Sequence, residues 1–180
     1  MTASIWAPWR LEYIKSVTGE KSGCFLCEAS RDTDHDRSNL VVARTDTALL
    51  MLNRYPYVNG HLLVAPYAHV SQLADMPSEH RAALTELAVH GQRLLELAMN
   101  PQGFNIGINI GRCAGAGVPG HIHLHIVPRW NGDINFMTTV GQVRVIPEAL
   151  ESAYEKLHRE HLMIRGDGAK SKSDNTRSSD

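Results

Sequence analysis

The apolar positions of this chain follow three rhythms. From residue 40 to residue 66 they come in short dense runs. LVVA and ALLML flank a polar stretch at residues 45–47, and HLLVAP closes on a proline. Such runs, bounded by turn-forming residues, predict three strands, the first two joined as a hairpin. RYPYVNG, residues 54–60, is punctuated by Pro56 and Gly60 and predicts the next turn. From Pro77 and Ser78 the rhythm changes. Leu84, Leu87, Ala88, Gly91, Leu94, Leu95 and Ala98 follow helical spacing, which predicts one long helix ending near residue 99. GFNIGINIG, residues 103–111, alternates with period two and predicts a fourth strand. RCAGAGVPG is a loop of small residues that leads into GHIHLHIVPRW, residues 120–130, where the alternation returns. QVRVIPEALESAYEKLHREHL predicts a short strand and then a helix starting near Pro147. Several antiparallel strands with two helices make the fold class α+β.

The ends read differently. Residues 1–23 hold Trp6 and Trp9, which are costly to leave wet, and read as an N-terminal arm that packs against something. SRDTDHDRSN, residues 30–39, reads as a polar loop. From Arg165 onward the chain is polar and is expected to be disordered, which leaves residues 24–164 as the folded domain.

Composition narrows the class. The chain has 180 residues and a net charge of −1, so bulk attraction to nucleic acid or to an anionic membrane is not expected. No stretch approaches the roughly 20 apolar residues of a membrane span. MTASIWAPWRLEYIK lacks the apolar run of a secretion signal, so a cytoplasmic location is expected. The three cysteines are odd in number, which argues against a disulfide framework. Cys24 and Cys27 form a C-x-x-C pair, which reads as metal-binding or redox-active; Cys113 has no expected role.

The histidines change the picture most. Three of the ten fall on alternate residues, His121, His123 and His125, with Ile122, Leu124 and Ile126 between them. On a strand the two sets occupy opposite faces, and same-face neighbours lie roughly 6.5 to 7 Å apart. A solvated face would carry Thr, Lys, Glu or Ser. Three imidazoles in a row can instead address one substrate or one metal, as nucleophile, acid, base or ligand. The loop just before them, GAGVPG at residues 115–120, offers main-chain N–H groups that can cradle a phosphate.

This pairing resembles the histidine triad (HIT) superfamily of nucleotidyl transferases and hydrolases. Its His-φ-His-φ-His-φ-φ motif is matched by HIHLHIV at every position. LNRYPYVNGHLLVAPYAH and FNIGINIG extend the likeness, which covers about residues 24–130. RYPYVNGH, VPRWNGDINF and WAPWR are similar to the bacterial branch that contains diadenosine tetraphosphate phosphorylase. The resemblance implies a HIT-like fold, with an antiparallel sheet of about five strands, a long helix and a C-terminal helix. It also implies cleavage of a dinucleoside polyphosphate at the α-phosphorus, with phosphate or water as acceptor. The alternative is a purine nucleotide-binding protein with weak phosphoramidase activity and a regulatory role; a C-x-x-C redox or zinc adaptor is a third reading.

The resemblance also assigns roles. His123, the middle histidine, would attack phosphorus and form an adenylyl-histidine without a catalytic cofactor. His125 would stabilise developing charge on the phosphate oxygens, and His61 would buttress the row. Asn53 matches the ribose-binding position, Asn109 lies beside the α-phosphate, and Trp130 belongs to the nucleotide-binding set. Where many members carry a Gln or Ser, this chain has Gly117, so the amides of Gly117 and Val118 would serve the phosphate bridge. Cys24, Cys27, His69 and His121 match a structural zinc set of the superfamily. The implied partners are an adenosine nucleotide or dinucleoside polyphosphate and a second copy of the chain in a homodimer, with no nucleic acid and no membrane.

Overall fold

The computed structural model describes residues 23–133 and 148–174. The tryptophan arm and the short strand expected within QVRVI lie outside the described residues. In chain order the elements are helices α1 (Phe25–Arg31) and α2 (Asp36–Asn39) and strands β1 (Val41–Arg44), β2 (Ala48–Leu52) and β3 (Leu62–Pro66). They are followed by α3 (Ser78–Met99), β4 (Gly103–Ile108), β5 (Leu124–Arg129) and α4 (Leu150–Asp174). The strands form one five-stranded sheet in the order β1-β2-β3-β5-β4, antiparallel at every step.

The dense runs of β2 and β3 are explained by burial on both faces. Leu50, Leu52, Leu62 and Val64 pack into the main core with Leu84, Leu87, Leu94 and Leu95 of α3 and with Ala153, Tyr154 and Leu157 of α4. The alternate residues Leu49, Met51, Leu63 and Ala65 pack beneath Leu26 and Ala29 of α1. The hairpin turn is closed by Thr45, whose main-chain N–H bonds the Ala48 carbonyl at 2.9 Å while its hydroxyl accepts from the Ala48 amide at 3.1 Å.

The long helix matches its expected span. It ends at Asn100, held in the left-handed region at φ 47° that Asn tolerates as a helix stop. Gly91 lets it close on the sheet: a Cβ there would stand 2.8 Å from Ile126 Cδ1.

Other expectations are corrected. The polar segment 30–39 is not all loop, because it holds α2. Arg44 pins that turn, reaching Asp36 and the Ala29 carbonyl, each at 2.6 Å. The histidine run is not all strand. β5 begins at Leu124, so only His125 lies in it. Pro66 ends β3, and the β3–β5 ladder stops at the Val64–Leu124 pair; Ile122 turns its N–H to the Val70 carbonyl instead, at 2.7 Å. β4 stops at Ile108 rather than residue 111. Helix α4 spans Leu150–Asp174, so it starts at Leu150 rather than near Pro147.

Gly60 delivers the chain into the site. Its φ is +74°, and a Cβ would meet Met99 Sδ at 2.7 Å and Leu95 Cδ2 at 2.9 Å. Gly60→Ala should therefore cost about 2 to 4 kcal/mol, from backbone strain and overpacking together. Denaturant melting checks this, and a variant as stable as wild type contradicts it.

Candidate active site and metal centre

The histidine row lies where the end of β3, the start of β5 and the 54–60 turn meet. A neutral imidazole has one N–H and one lone pair, and the partner of one nitrogen fixes the role of the other. His123 Nδ1 is 2.9 Å from the carbonyl oxygen of His121. A carbonyl only accepts, so Nδ1 carries the hydrogen and Nε2 keeps its lone pair. Burial holds the proton affinity of His123 below the ordinary value of 6.5, partly opposed by that backbone bond. Its ring is in edge contact with His125, centroids 4.8 Å apart.

The partner of His125 is fixed by a second chain of bonds. The main-chain N–H of Tyr57 donates to His61 Nδ1 at 3.1 Å. The hydrogen of His61 is therefore on Nε2, and it donates to His125 Nδ1 at 2.9 Å. His125 must then carry its own hydrogen on Nε2. That atom is buried and has no partner among the described residues. Burial, then the charges of His125 and His123, push His61 down to about 3. Burial, then His123, push His125 down to about 4. Near pH 7 the row is therefore uncharged, with one lone pair and one N–H presented side by side.

An open groove runs over this face. A cavity of about 180 Å³ is lined by Tyr57, Asn105, Gly107, Asn109, His125 and Val127. Asn105 joins it to a second of about 360 Å³, where Gln102, Arg129, Trp130 and Asn131 form the wall. The floor is low because Gly103 and Gly107 alternate with Asn105 along β4, and a Cβ on either glycine would meet nothing within 4 Å.

The sulfurs of Cys24 and Cys27 both stand 3.3 Å from His121 Nδ1, and Cys27 Sγ is 3.1 Å from His69 Nδ1. All four ligand atoms lie within 4.8 Å of one another. His121 Nε2 bonds the Pro66 carbonyl at 2.8 Å, so its Nδ1 lone pair faces the sulfurs. Two thiolates and two imidazoles at these separations fit a tetrahedral zinc centre. Burial and the neighbouring Cys24 push the Cys27 thiol up.

Of the residues expected at the site, His125 is in contact with both His61 and His123, and Asn109 lines the groove. Trp130 lines the adjoining cavity, with its indole N–H on the Asn100 carbonyl at 3.3 Å. The side chain of Asn53 meets His61 rather than lying open: its Nδ2 is 3.2 Å from His61 Nδ1. Gly117 and Val118 lie in the loop entering the row. Tyr57 was missed. Its ring lies 4.6 Å from that of His61 and 6.0 Å from that of His125. The signal was an aromatic in a polar turn, three residues before a Gly-His step. Asn105 was missed as well, although Gly103, Asn105 and Gly107 share one face of an alternating strand.

The HIT domain family model matches residues 35–132. The chain is 35% identical over 161 residues to the AP-4-A phosphorylase of Mycobacterium tuberculosis, covering 87% of this chain and 83% of that protein. It is 36% identical over 96 residues to the asymmetrical bis(5'-nucleosyl)-tetraphosphatase of Schizosaccharomyces pombe, covering 53% of this chain and 52% of that one. Among solved structures, a Zn-bound histidine triad family protein from Mycobacterium smegmatis superposes with a TM-score of 0.65 at 26% identity, covering 81% of this chain and 98% of that one.

The lowered proton affinities fix a pH dependence. The unfolded chain takes up protons as pH falls through 6.5, whereas folded His125, and His161 of α4, buried against His90 of α3, resist until about 4 and His61 until about 3. Stability is therefore complete above pH 7 and drains away between pH 6.5 and 4. Denaturant melts should show a loss of about 2 kcal/mol per such histidine between pH 7 and pH 5. His61→Gln should flatten the curve by one such share. Equal stability at the two pH values contradicts the assignment.

Proposed function

This chain belongs to the HIT domain family, and from that premise we propose that it is an enzyme of dinucleoside polyphosphates. It cleaves diadenosine tetraphosphate at the α-phosphorus and passes the adenylyl group through His123 to phosphate or water. One observation carries this reading: a buried N–H on His125 Nε2 without a partner among the described residues, beside the bare Nε2 of His123. A buried donor of that kind is costly unless a ligand oxygen meets it.

In the first step the Nε2 lone pair of His123 forms a bond to the α-phosphorus, and the bond to the bridging oxygen of the departing ATP breaks. His125 donates to a non-bridging oxygen as charge builds there. The leaving oxygen ends on a terminal phosphate whose last pKa is near 6, so it departs without a general acid, and Gly117 in place of a Gln or Ser costs little. In the second step an acceptor oxygen bonds phosphorus and frees His123, giving ADP from phosphate or AMP from water. The amides of Gly117 and Val118 serve the phosphates, because among the described residues the loop's own main-chain bonds do not use them. Asn109 sits beside the α-phosphate, and Trp130 faces the nucleotide across the second cavity. Cys24, Cys27, His69 and His121 hold a structural zinc, which supplies no chemistry to the reaction but fixes the backbone of His121. The exposed Val89 and Leu97 of α3 and Ile106 of the edge strand β4 suit a second copy of the chain. Among the described residues no helix is long and apolar enough to cross a membrane, and we place the enzyme in the cytoplasm.

Phosphorus NMR of diadenosine tetraphosphate turnover is the test. ADP with ATP is expected when orthophosphate is present, and AMP with ATP when it is not. Absence of both pairs overturns the reading. His123→Asn should lower kcat by about 10⁴ or more while nucleotide still binds, and His125→Asn by about 10² to 10³.

The metal centre has its own test. Purified protein should carry about one zinc per chain. Cys24→Ser should lower metal content and melting temperature together. Metal-free protein with an unchanged melting temperature rules the zinc out.

A further inference from the structure

Asn53 makes two bonds that together bear on His125. Its Oδ1 accepts the main-chain N–H of Tyr55 at 2.9 Å, folding residues 53–55 into a side-chain-closed turn. That bond orients the amide: Oδ1 is committed to an N–H, so the NH₂ group is the one that faces His61. Its Nδ2 then donates to His61 Nδ1 at 3.2 Å, alongside the Tyr57 N–H at 3.1 Å. The same turn aims that Tyr57 N–H. Asn53 thus supplies one of two donors to His61 Nδ1 and shapes the loop that supplies the other.

We propose that Asn53 is a positioning residue for the phosphate donor of this site. It acts through His61 to keep the hydrogen of His125 on Nε2. The inference rests on the proposed role of His125 at the phosphate.

Two coupled states are open to the His61–His125 pair. In one, both rings carry hydrogen on Nε2, His61 donates to His125, and His125 offers an N–H to the phosphate. In the other, both carry it on Nδ1, and His125 turns a lone pair toward the phosphate oxygens, which repels them. Two donors on His61 Nδ1 exclude the second state, since an N–H there would face two other N–H groups. Without Asn53 one donor is lost, the turn that aims the other loosens, and the second state becomes accessible. Because both rings are neutral near pH 7, the switch needs no change of net charge. A ribose contact by Asn53 predicts something different: an effect on binding that depends on the sugar hydroxyls and leaves the rings alone.

The test is nitrogen-15 NMR of the full chain labelled in histidine at pH 7, with the His61 and His125 signals assigned by His61→Gln and His125→Gln. Wild type should show hydrogen on Nε2 and a bare Nδ1 in both rings. In Asn53→Ala both rings should shift together toward mixed tautomers. kcat for diadenosine tetraphosphate should fall about ten- to a hundredfold, the range in which outer hydrogen bonds act on the groups they orient. KM should move little, and the 2′-deoxy substrate should suffer equally. Asn53→Ser, whose hydroxyl can accept from the Tyr55 amide and donate to His61, should recover part of both signals and covers the case in which Asn53→Ala fails to fold. Wild-type tautomers in both variants overturn the inference. So does a rise in KM alone that disappears with the 2′-deoxy substrate. If this substrate is not turned over at all, the functional reading fails, and the tautomer measurement still decides the relay.

Discussion

The hydrogen bond from His123 Nδ1 to the carbonyl of His121 is the constraint on which this site depends. It spans one residue, measures 2.9 Å and is buried. In water an imidazole exchanges freely between tautomers. Here the His121 carbonyl can only accept, so one tautomer is held and one lone pair is set. Everything around the bond serves to keep that carbonyl in place. His121 is anchored on one side by the Pro66 carbonyl and faces the Cys24–Cys27–His69 cluster on the other. Its own N–H is tied to Val118 at 3.2 Å. The Cys–His cluster and the ring proposed as nucleophile thus meet at a single residue, joined through its backbone oxygen.

Burial does the rest of the electrostatic work. Taking imidazoles out of water disfavours their charged forms, and each unit of pKa shift corresponds to about 1.4 kcal/mol between protonation states. The two-sided core around β2 and β3 puts His61 at zero exposure and His123 at 5%. A nucleophile must be unprotonated and its neighbour must still donate. A solvated row would titrate near neutral pH and lose that division of labour. The depth of the core is thus part of the chemistry, and so is the Gly60 turn that brings His61 beneath α3.

Much of this was legible in the sequence because it followed from periodicity. The runs in ALLML and HLLVAP mark strands covered on both faces, the spacing from Leu84 to Ala98 marks the face of α3, and HIHLHIV marks the row. What was not legible depends on single hydrogen bonds. No spacing rule shows that Asn53 closes a turn onto Tyr55 or that the Tyr57 amide points at His61, because main-chain donors leave no trace in residue type. The short helix Asp36–Asn39 hides in a polar stretch because it is held by the Arg44 side chain and not by an apolar face. The strand start at Leu124 was missed because the ladder ends through Pro66, on another part of the chain. Asn53 was read by its resemblance to a ribose-binding position, and the structure adds a bond to His61 that the resemblance did not carry.

The proposed chemistry turns on which nitrogen of which histidine meets phosphorus. The direct measurement is to quench the enzyme during turnover of labelled diadenosine tetraphosphate, with orthophosphate withheld, and to map the adduct with nitrogen-15-labelled histidine. The tautomers described here require an acid-labile, base-stable adenylyl group on Nε2 of His123, read as a phosphorus–nitrogen coupling at that atom. An adduct on Nδ1, an adduct on His121 or His125, or rapid turnover with no adduct at all would contradict it.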